Sequence, residues 1–241
     1  MHGGAPSALF ATVCERHDPG PAAFVARVTV ELMRPVPLAP LELRVRTMRP
    51  GKRVHWIEAM LLDERDHEVA HATVLRIRSE DVDTSGSVHP QVDAPPGPGA
   101  ALAEKFPFGE GAFGFWNVHD VRLVRGSWTA PGPAVAWFRL RCPVIAGEPI
   151  SPIARVAAAA DFGSGVSNPV RMTRAAAINP ELTVHVHRHP VGDWVCLDAG
   201  AWAQPHGVGM AETRLHDGSG VIGRSVQSLL VEPATRLPMQ L

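Results

Sequence analysis

The stretch SPIARVAAAADFG, from Ser151 to Gly163, decides how this chain folds. Ser151 can accept a hydrogen bond from the free amides that open a helix, and Pro152 takes the first helical position, where a missing N–H costs nothing. Alanines carry the helix to Phe162, and Gly163 is its expected stop. What surrounds it is not helical. Leu182–Arg188, Trp194–Ala201, Gly209–Leu215 and Val221–Val231 follow, alternate, and are separated by Gly, Pro or Asp, which predicts antiparallel strands. Phe113–Arg125 and Ala134–Arg141 precede the helix and read the same way.

Further toward the start the pattern recurs. Pro6–Arg16 places Leu9, Phe10 and Val13 on one stripe and predicts a helix of about three turns. Four alternating segments follow it, at Phe24–Leu32, Leu41–Met48, Arg53–Asp63 and Glu68–Arg78. Between the halves, Ser79 to Gly111 is dense in Pro, Gly, Ser and Asp with no apolar period, the composition of a linker. The expected organisation is a unit over 1–82, a linker over 83–104 and a second unit over 105–236. A first unit of about 80 residues is marginal alone, so the two should pack on each other.

The recurrence reaches single residues. Val28-Thr29-Val30 matches Leu182-Thr183-Val184, Arg34 matches Arg188, and Glu58, Leu61 and Asp63 match Glu212, Leu215 and Asp217, all at one constant shift. One residue less sets Val74 against Gln227 and Leu75 against Ser228. A helix followed by four strands, twice over, reads as a duplication.

Composition narrows the function. The chain has 241 residues, 45% hydrophobic and 20% charged, and a net charge of -1, so it lacks the basic excess of a nucleic-acid binder. It has neither a bilayer-spanning apolar run nor a signal peptide at Met1-His2-Gly3-Gly4, so a soluble, cytoplasmic protein is expected. Cys14, Cys142 and Cys196 form neither a disulfide framework nor a zinc motif and read as buried small hydrophobes. Gly218-Ser219-Gly220-Val221-Ile222-Gly223 satisfies a dinucleotide fingerprint, yet a strand follows it instead of a helix, so it reads as a hairpin turn. His185, His187 and His189 share one face of a strand, but no carboxylate is clearly added to make a metal site, and a solvated or interface face is expected. No GxSxG elbow occurs.

The segments HGGAPSALFA, VTVELMRPVPL, RVAAAADFGSGV, INPELTVHVHRHPVGDW and DGSGVIGRSVQSLLVEP together resemble the double hot-dog acyl-CoA thioesterases, nearest their thioesterase II-like branch. The resemblance spans nearly the whole chain except the linker. It implies an α+β fold in which two helix-wrapped antiparallel sheets join edge to edge into one long sheet, with both helices on one side. A hot-dog unit opens with a strand before its helix; the first half starts at the helix, so an initial strand is expected to be missing. A joined sheet of that size exposes a broad face, and a homo-oligomer is expected.

The resemblance also implies chemistry: hydrolysis of an acyl-CoA or acyl-carrier thioester, without metal or redox cofactor, by water held between an Asp, a Ser or Thr, and a Gln. Gln227, in GRSVQSLLV, takes the Gln position. Glu181, in NPELTV, takes the Asp position one methylene longer, although alternation sets it opposite Leu182, Val184 and Val186. The hydroxyl position falls at Ala201, which has none; this leaves open a catalytically weakened acyl-CoA-binding protein. Asp161 resembles a recurring family acid. At a helix C-terminus it needs a local partner. Gly3 and Gly4, before the first helix, offer bare amides for a thioester oxygen or simply a tight turn. A lyase on enoyl-CoA would need an Asp/His pair, which the sequence alone does not locate.

Overall fold

The computed structural model describes residues 1–18, 23–103 and 114–236. Helix α1 (Gly4–Arg16) leads into β1 (Ala23–Glu31), β2 (Glu42–Arg49), β3 (Val54–Leu62) and β4 (Glu68–Arg78). Then come β5 (Leu102–Ala103), β6 (His119–Arg125), β7 (Ala134–Leu140), α2 (Pro152–Ala160) and α3 (Gly163–Val166). The chain continues through β8 (Ala175–Ile178), β9 (Glu181–Val186), β10 (Val195–Ala203), β11 (Val208–Asp217) and β12 (Gly220–Pro233).

All twelve strands form one antiparallel sheet in the order β2-β3-β4-β1-β9-β12-β11-β10-β7-β6-β5, with β8 also on β12. The halves meet where β1 pairs β9, with Val28 opposite Val184, Thr29 opposite Thr183 and Val30 opposite Leu182. Thr29 faces its own repeat partner, and Val28 and Val30 each face the repeat partner of the other, so a pseudo-twofold axis passes between Thr29 and Thr183. Their hydroxyls lie 3.4 Å apart across 154 residues of chain. Helices and sheet share one large apolar core, in which Phe10, Cys14, Ile153 and Val156 of the helices meet Val28, Ile57, Val74, Val184 and Leu215 of the strands. This is the α+β double hot-dog architecture.

Several expectations change in detail. The strand expected over Phe113–Arg125 begins only at His119, after a 3-10 turn at Phe115–Val118. Phe113, residues 104–111 of the linker and residue 105, the expected start of the second unit, lie outside the described residues. Gly163 does not stop the helical segment; it opens α3 with a non-positive φ. Cys14 and Cys196 are buried, whereas Cys142 is exposed just past the end of β7. The described linker from Gln91 to Ala101 lies against the sheet face remote from the helices. There the Pro96 carbonyl accepts the Trp137 indole N–H at 2.8 Å and Ala101 packs on Trp137 and Cys196, a cover that explains the burial of Trp137.

Candidate active site

The two helices meet end to side, the N-terminus of α1 against the C-terminus of α2. Glycine permits it. A Cβ on Gly3 would sit 2.9 Å from Asp161 Oδ2, and one on Gly4 2.8 Å from the Ala158 carbonyl. Neither glycine has a positive φ, so close approach, and not turn geometry, is what these positions need.

Asp161 caps α2 and is buried. Its Oδ1 accepts the Asn179 side-chain N–H at 2.7 Å and faces Gln227 Nε2 at 3.5 Å, while Oδ2 lies 2.9 Å from His2 Nδ1. Gln227 is also buried; it donates to the Asp161 carbonyl at 3.2 Å and accepts the Ser164 N–H at 2.9 Å. That last bond requires a glycine beside it, because a Cβ on Gly163 would lie 2.5 Å from Thr213 Oγ1 and 3.0 Å from Gln227 Oε1. The partner that a carboxylate at a helix C-terminus needs is thus supplied by His2 and the start of α1.

Burial by itself pushes the Asp161 carboxyl up. The charge of His2 and the hydrogen bonds from His2, Asn179 and the Gly4 N–H outweigh it and hold the group below the ordinary carboxylate range. Aromatic rings wall the site: the His2 ring lies over Phe162 at 4.4 Å and Phe115 at 5.5 Å, and His119 meets both phenylalanines edge-on. Burial pushes His119 down to about 4.

Two expected site residues fall elsewhere. Directly opposed residues share a face of a sheet, and β9 and β12 set Thr183 against exposed Val226, with Val184 against buried Ser225. Glu181 shares the Thr183 face and Gln227 the Ser225 face, so the expected pair is corrected: the two lie on opposite sides of the sheet. Glu181 Oε1 instead accepts the Ser228 backbone N–H at 2.5 Å, and Oε2 lies 3.5 Å from Thr183 Oγ1. Ala201 does share the row of Gln227, through Ala211, but two strands away, roughly 10 Å at ordinary strand spacing.

Asn179 was not anticipated. Between β9 and β8 the register against β12 slips by one residue, since Val226 faces Thr183 but Leu230 faces Ile178. The extra residue falls at Asn179-Pro180, and this bulge reverses the alternation, so that Asn179 turns inward while Glu181 points out. The Asn-Pro dipeptide, a break signal between two alternating runs, was the available clue. The dinucleotide-like glycines form the β11–β12 hairpin, and the His189 ring stacks on Phe24 at 4.5 Å. Among the described residues no group of three His, Cys, Asp or Glu side chains could hold a metal ion, and no helix is long and apolar enough to cross a membrane.

The chain was compared with known proteins. A tesB protein of Mycobacterium avium subs paratuberculosis has the same fold, with a TM-score of 0.73 and 15% identity over 97% of this chain and 88% of its own. Acyl-CoA thioesterase II TesB2 from Mycobacterium marinum gives 0.73 and 16% over 95% and 89%. A hot-dog-fold protein from Alicyclobacillus acidocaldarius gives 0.72 and 20% over 95% and 86%. No curated protein matches by sequence. Family models do match: the acyl-CoA thioesterase N-terminal domain over residues 1–77 and the acyl-CoA thioesterase C-terminal domain over residues 87–231. Between them they cover the three helices and all of β1 to β11 except the last residue of β4, with Asp161, Asn179 and Gln227 in the C-terminal match, and the chain belongs to the acyl-CoA thioesterase family of thioester hydrolases.

Proposed function

We propose that the chain cleaves an acyl-CoA or acyl-carrier thioester with a water held by Asp161, Asn179 and Gln227, Asp161 drawing the proton from that water. The observation that carries this reading is the convergence of a buried carboxylate with two side-chain amides beside a helix N-terminus. Each group has a role that its chemistry allows. The carboxylate is ionised and can accept a proton, the amides of Asn179 and Gln227 fix the direction of the water, and the positive end of α1 at Gly3 and Gly4 stabilises the oxyanion that develops on the thioester carbonyl. Gly4 already directs its N–H to His2 Nδ1 at 3.1 Å, so its share is through the helix dipole. Asn179 supplies the donor for which Ala201 offered no hydroxyl, which removes the motive for reading the chain as an inactive acyl-CoA binder.

The wider setting is part of the same proposal. The units run over 1–82 and 105–236 about the linker, and the three free cysteines suit a cytoplasmic setting. Trp202, Val208, Met210 and Leu230 form an exposed apolar area on the face remote from the helices, which supports a homo-oligomer.

A thiol-release assay across acyl-CoAs of graded chain length tests the reading. Release of free thiol with at least one of them is expected. Measurable acyl-CoA binding with no thiol released from any would instead make the chain an acyl-CoA binder. The His2–Asp161 contact is also the Asp/His pair that an enoyl-CoA lyase would need, so hydration of an enoyl-CoA without thioester cleavage would assign it that reaction.

A further inference from the structure

Resting on that reading of the site, one feature of its chemistry is unsatisfied: an Asp161 carboxylate kept ionised by hydrogen bonds from Asn179 and the Gly4 N–H is a poor place for the proton of water to stay. His2 lies where it could relieve this. Its Nδ1 is 2.9 Å from Asp161 Oδ2 and 3.1 Å from the Gly4 nitrogen, whose N–H it accepts. One nitrogen cannot hold a lone pair toward Gly4 and a proton toward Asp161 at once. The Gly4 N–H has a second acceptor in the Asp161 carboxylate, so it can move there when Nδ1 becomes protonated. The ring lies against Phe115 and Phe162 and its side chain remains 24% exposed, against 3% for Asp161, so His2 connects a buried acid to solvent.

We propose that His2 is the residue on which the proton taken from water comes to rest, and that His2 and Asp161 work as one proton-accepting pair. As the water oxygen bonds to the thioester carbon, its O–H bond breaks, the carbonyl electron pair moves to oxygen, and the proton passes through Asp161 to His2 Nδ1. On collapse the oxyanion electron pair re-forms the carbonyl, the C–S bond breaks with its electrons on sulfur, and the thiolate takes up the proton. The pair returns to its starting state, with one water consumed and one acid and one thiol formed. His2 acts through Asp161, so it is a positioning residue for the base and for its proton. The titratable groups that face it are Asp161 from α2 and His119 from β6; Arg141 and Asp120 act in turn on His119. Buried His119 stays neutral down to about pH 4 and so adds no charge near neutrality.

The test compares full pH profiles of thioester hydrolysis for the wild type, His2→Gln, His2→Ala and Asp161→Asn. In His2→Gln a side-chain amide can still meet Asp161 and Gly4 but cannot titrate. Its kcat should fall about 10- to 100-fold, at the low end of what general acid–base assistance contributes, with KM nearly unchanged. The acidic limb of kcat/KM should move to lower pH, where Asp161 titrates alone. Added imidazole should restore part of the rate in His2→Ala, where the space against Phe115 and Phe162 is vacated, and none in His2→Gln. An unshifted limb with wild-type kcat in His2→Gln would overturn the inference, as would a loss in His2→Ala that imidazole does not reverse while the limb stays in place. Activity retained in Asp161→Asn would instead remove the proposed function on which it rests, so the two failures are distinguishable.

Discussion

Val74 and Gln227 sit at matching places in the two halves, yet their surroundings diverge. In the first half Val74 lies in a row with Ile57 and Val28, all three buried and apolar. In the second, Gln227 lies in a row with the smaller Ala211, and the room beneath is taken by the α2–α3 junction with its polar atoms. The turns diverge as well. Both acids accept N–H groups within their own turns, Asp63 from Arg65 and His67 and Asp217 from Ser219, but Asp217 is buried and also takes a two-point grip from Arg188, at 2.5 and 2.7 Å. The outer strands complete the contrast: β10 is covered by β7, while β2 is the last strand of its side of the sheet. One ladder plan therefore supports a half that is apolar at the Val74 row and a half that carries polar chemistry at the matching place, to which the first half contributes the start of α1.

Exchanging those two residues should have the largest effect on this contrast between the halves. Gln227→Val should lower kcat by about 10²- to 10³-fold, the usual cost of removing an oriented donor from a hydrolytic site, because it also leaves the Ser164 N–H without its acceptor. The reciprocal Val74→Gln should add no activity and should destabilise by about 2 kcal/mol, since the apolar row offers a buried amide no partner. Thiol-release kinetics and urea unfolding of the two variants check both. A gain of hydrolysis in Val74→Gln would break the contrast.

His119 belongs to β6, a strand placed before the helix of the second half; among the described residues no strand precedes α1. Folded His119 takes a proton only near pH 4, while the unfolded ring takes one near 6.5. Acid therefore favours the unfolded chain, and stability is lost as pH falls from about 6.5 toward about 4, by on the order of 3 kcal/mol from this group. His119→Phe should flatten that part of the stability–pH curve. Urea midpoints measured between pH 4 and 7 give the answer.

A smaller effect separates two neighbouring glycines of α3. Gly163→Ala should cost about 1–3 kcal/mol, because its methyl meets Thr213 and Gln227. Gly165→Ala meets nothing within 4 Å and has no positive φ, so it should be neutral or stabilise by up to about 1 kcal/mol. Equal losses in thermal unfolding would mean that the junction does not rest on the sheet through Gly163.

Much of this was legible in the sequence and some was not, for physical reasons. Alternation located most strands and the Ser151-Pro152 start located α2, because these are local signals. Thr29 and Thr183, matched as repeat partners, face each other on the pseudo-twofold axis. The site depends on contacts that local patterns do not encode. His2 and Asp161 meet only because the glycines let α1 approach α2, and Asn179 turns inward only because a bulge at Asn179-Pro180 reverses the alternation. That same alternation already set Glu181 on the outward face, and the position it was given by resemblance conflicts with it.

Glu181 and Asp161 thus stand on opposite sides of one sheet, and the account rests on the helix side being the one that works. The most direct test is kcat for thioester hydrolysis in Asp161→Asn and Glu181→Gln, measured side by side on the same acyl-CoA. Asp161→Asn should lose about 10²- to 10⁴-fold, the range for removing a general base, and Glu181→Gln should stay within about threefold of wild type. A Glu181→Gln variant that loses activity on that scale while Asp161→Asn keeps it would contradict the account.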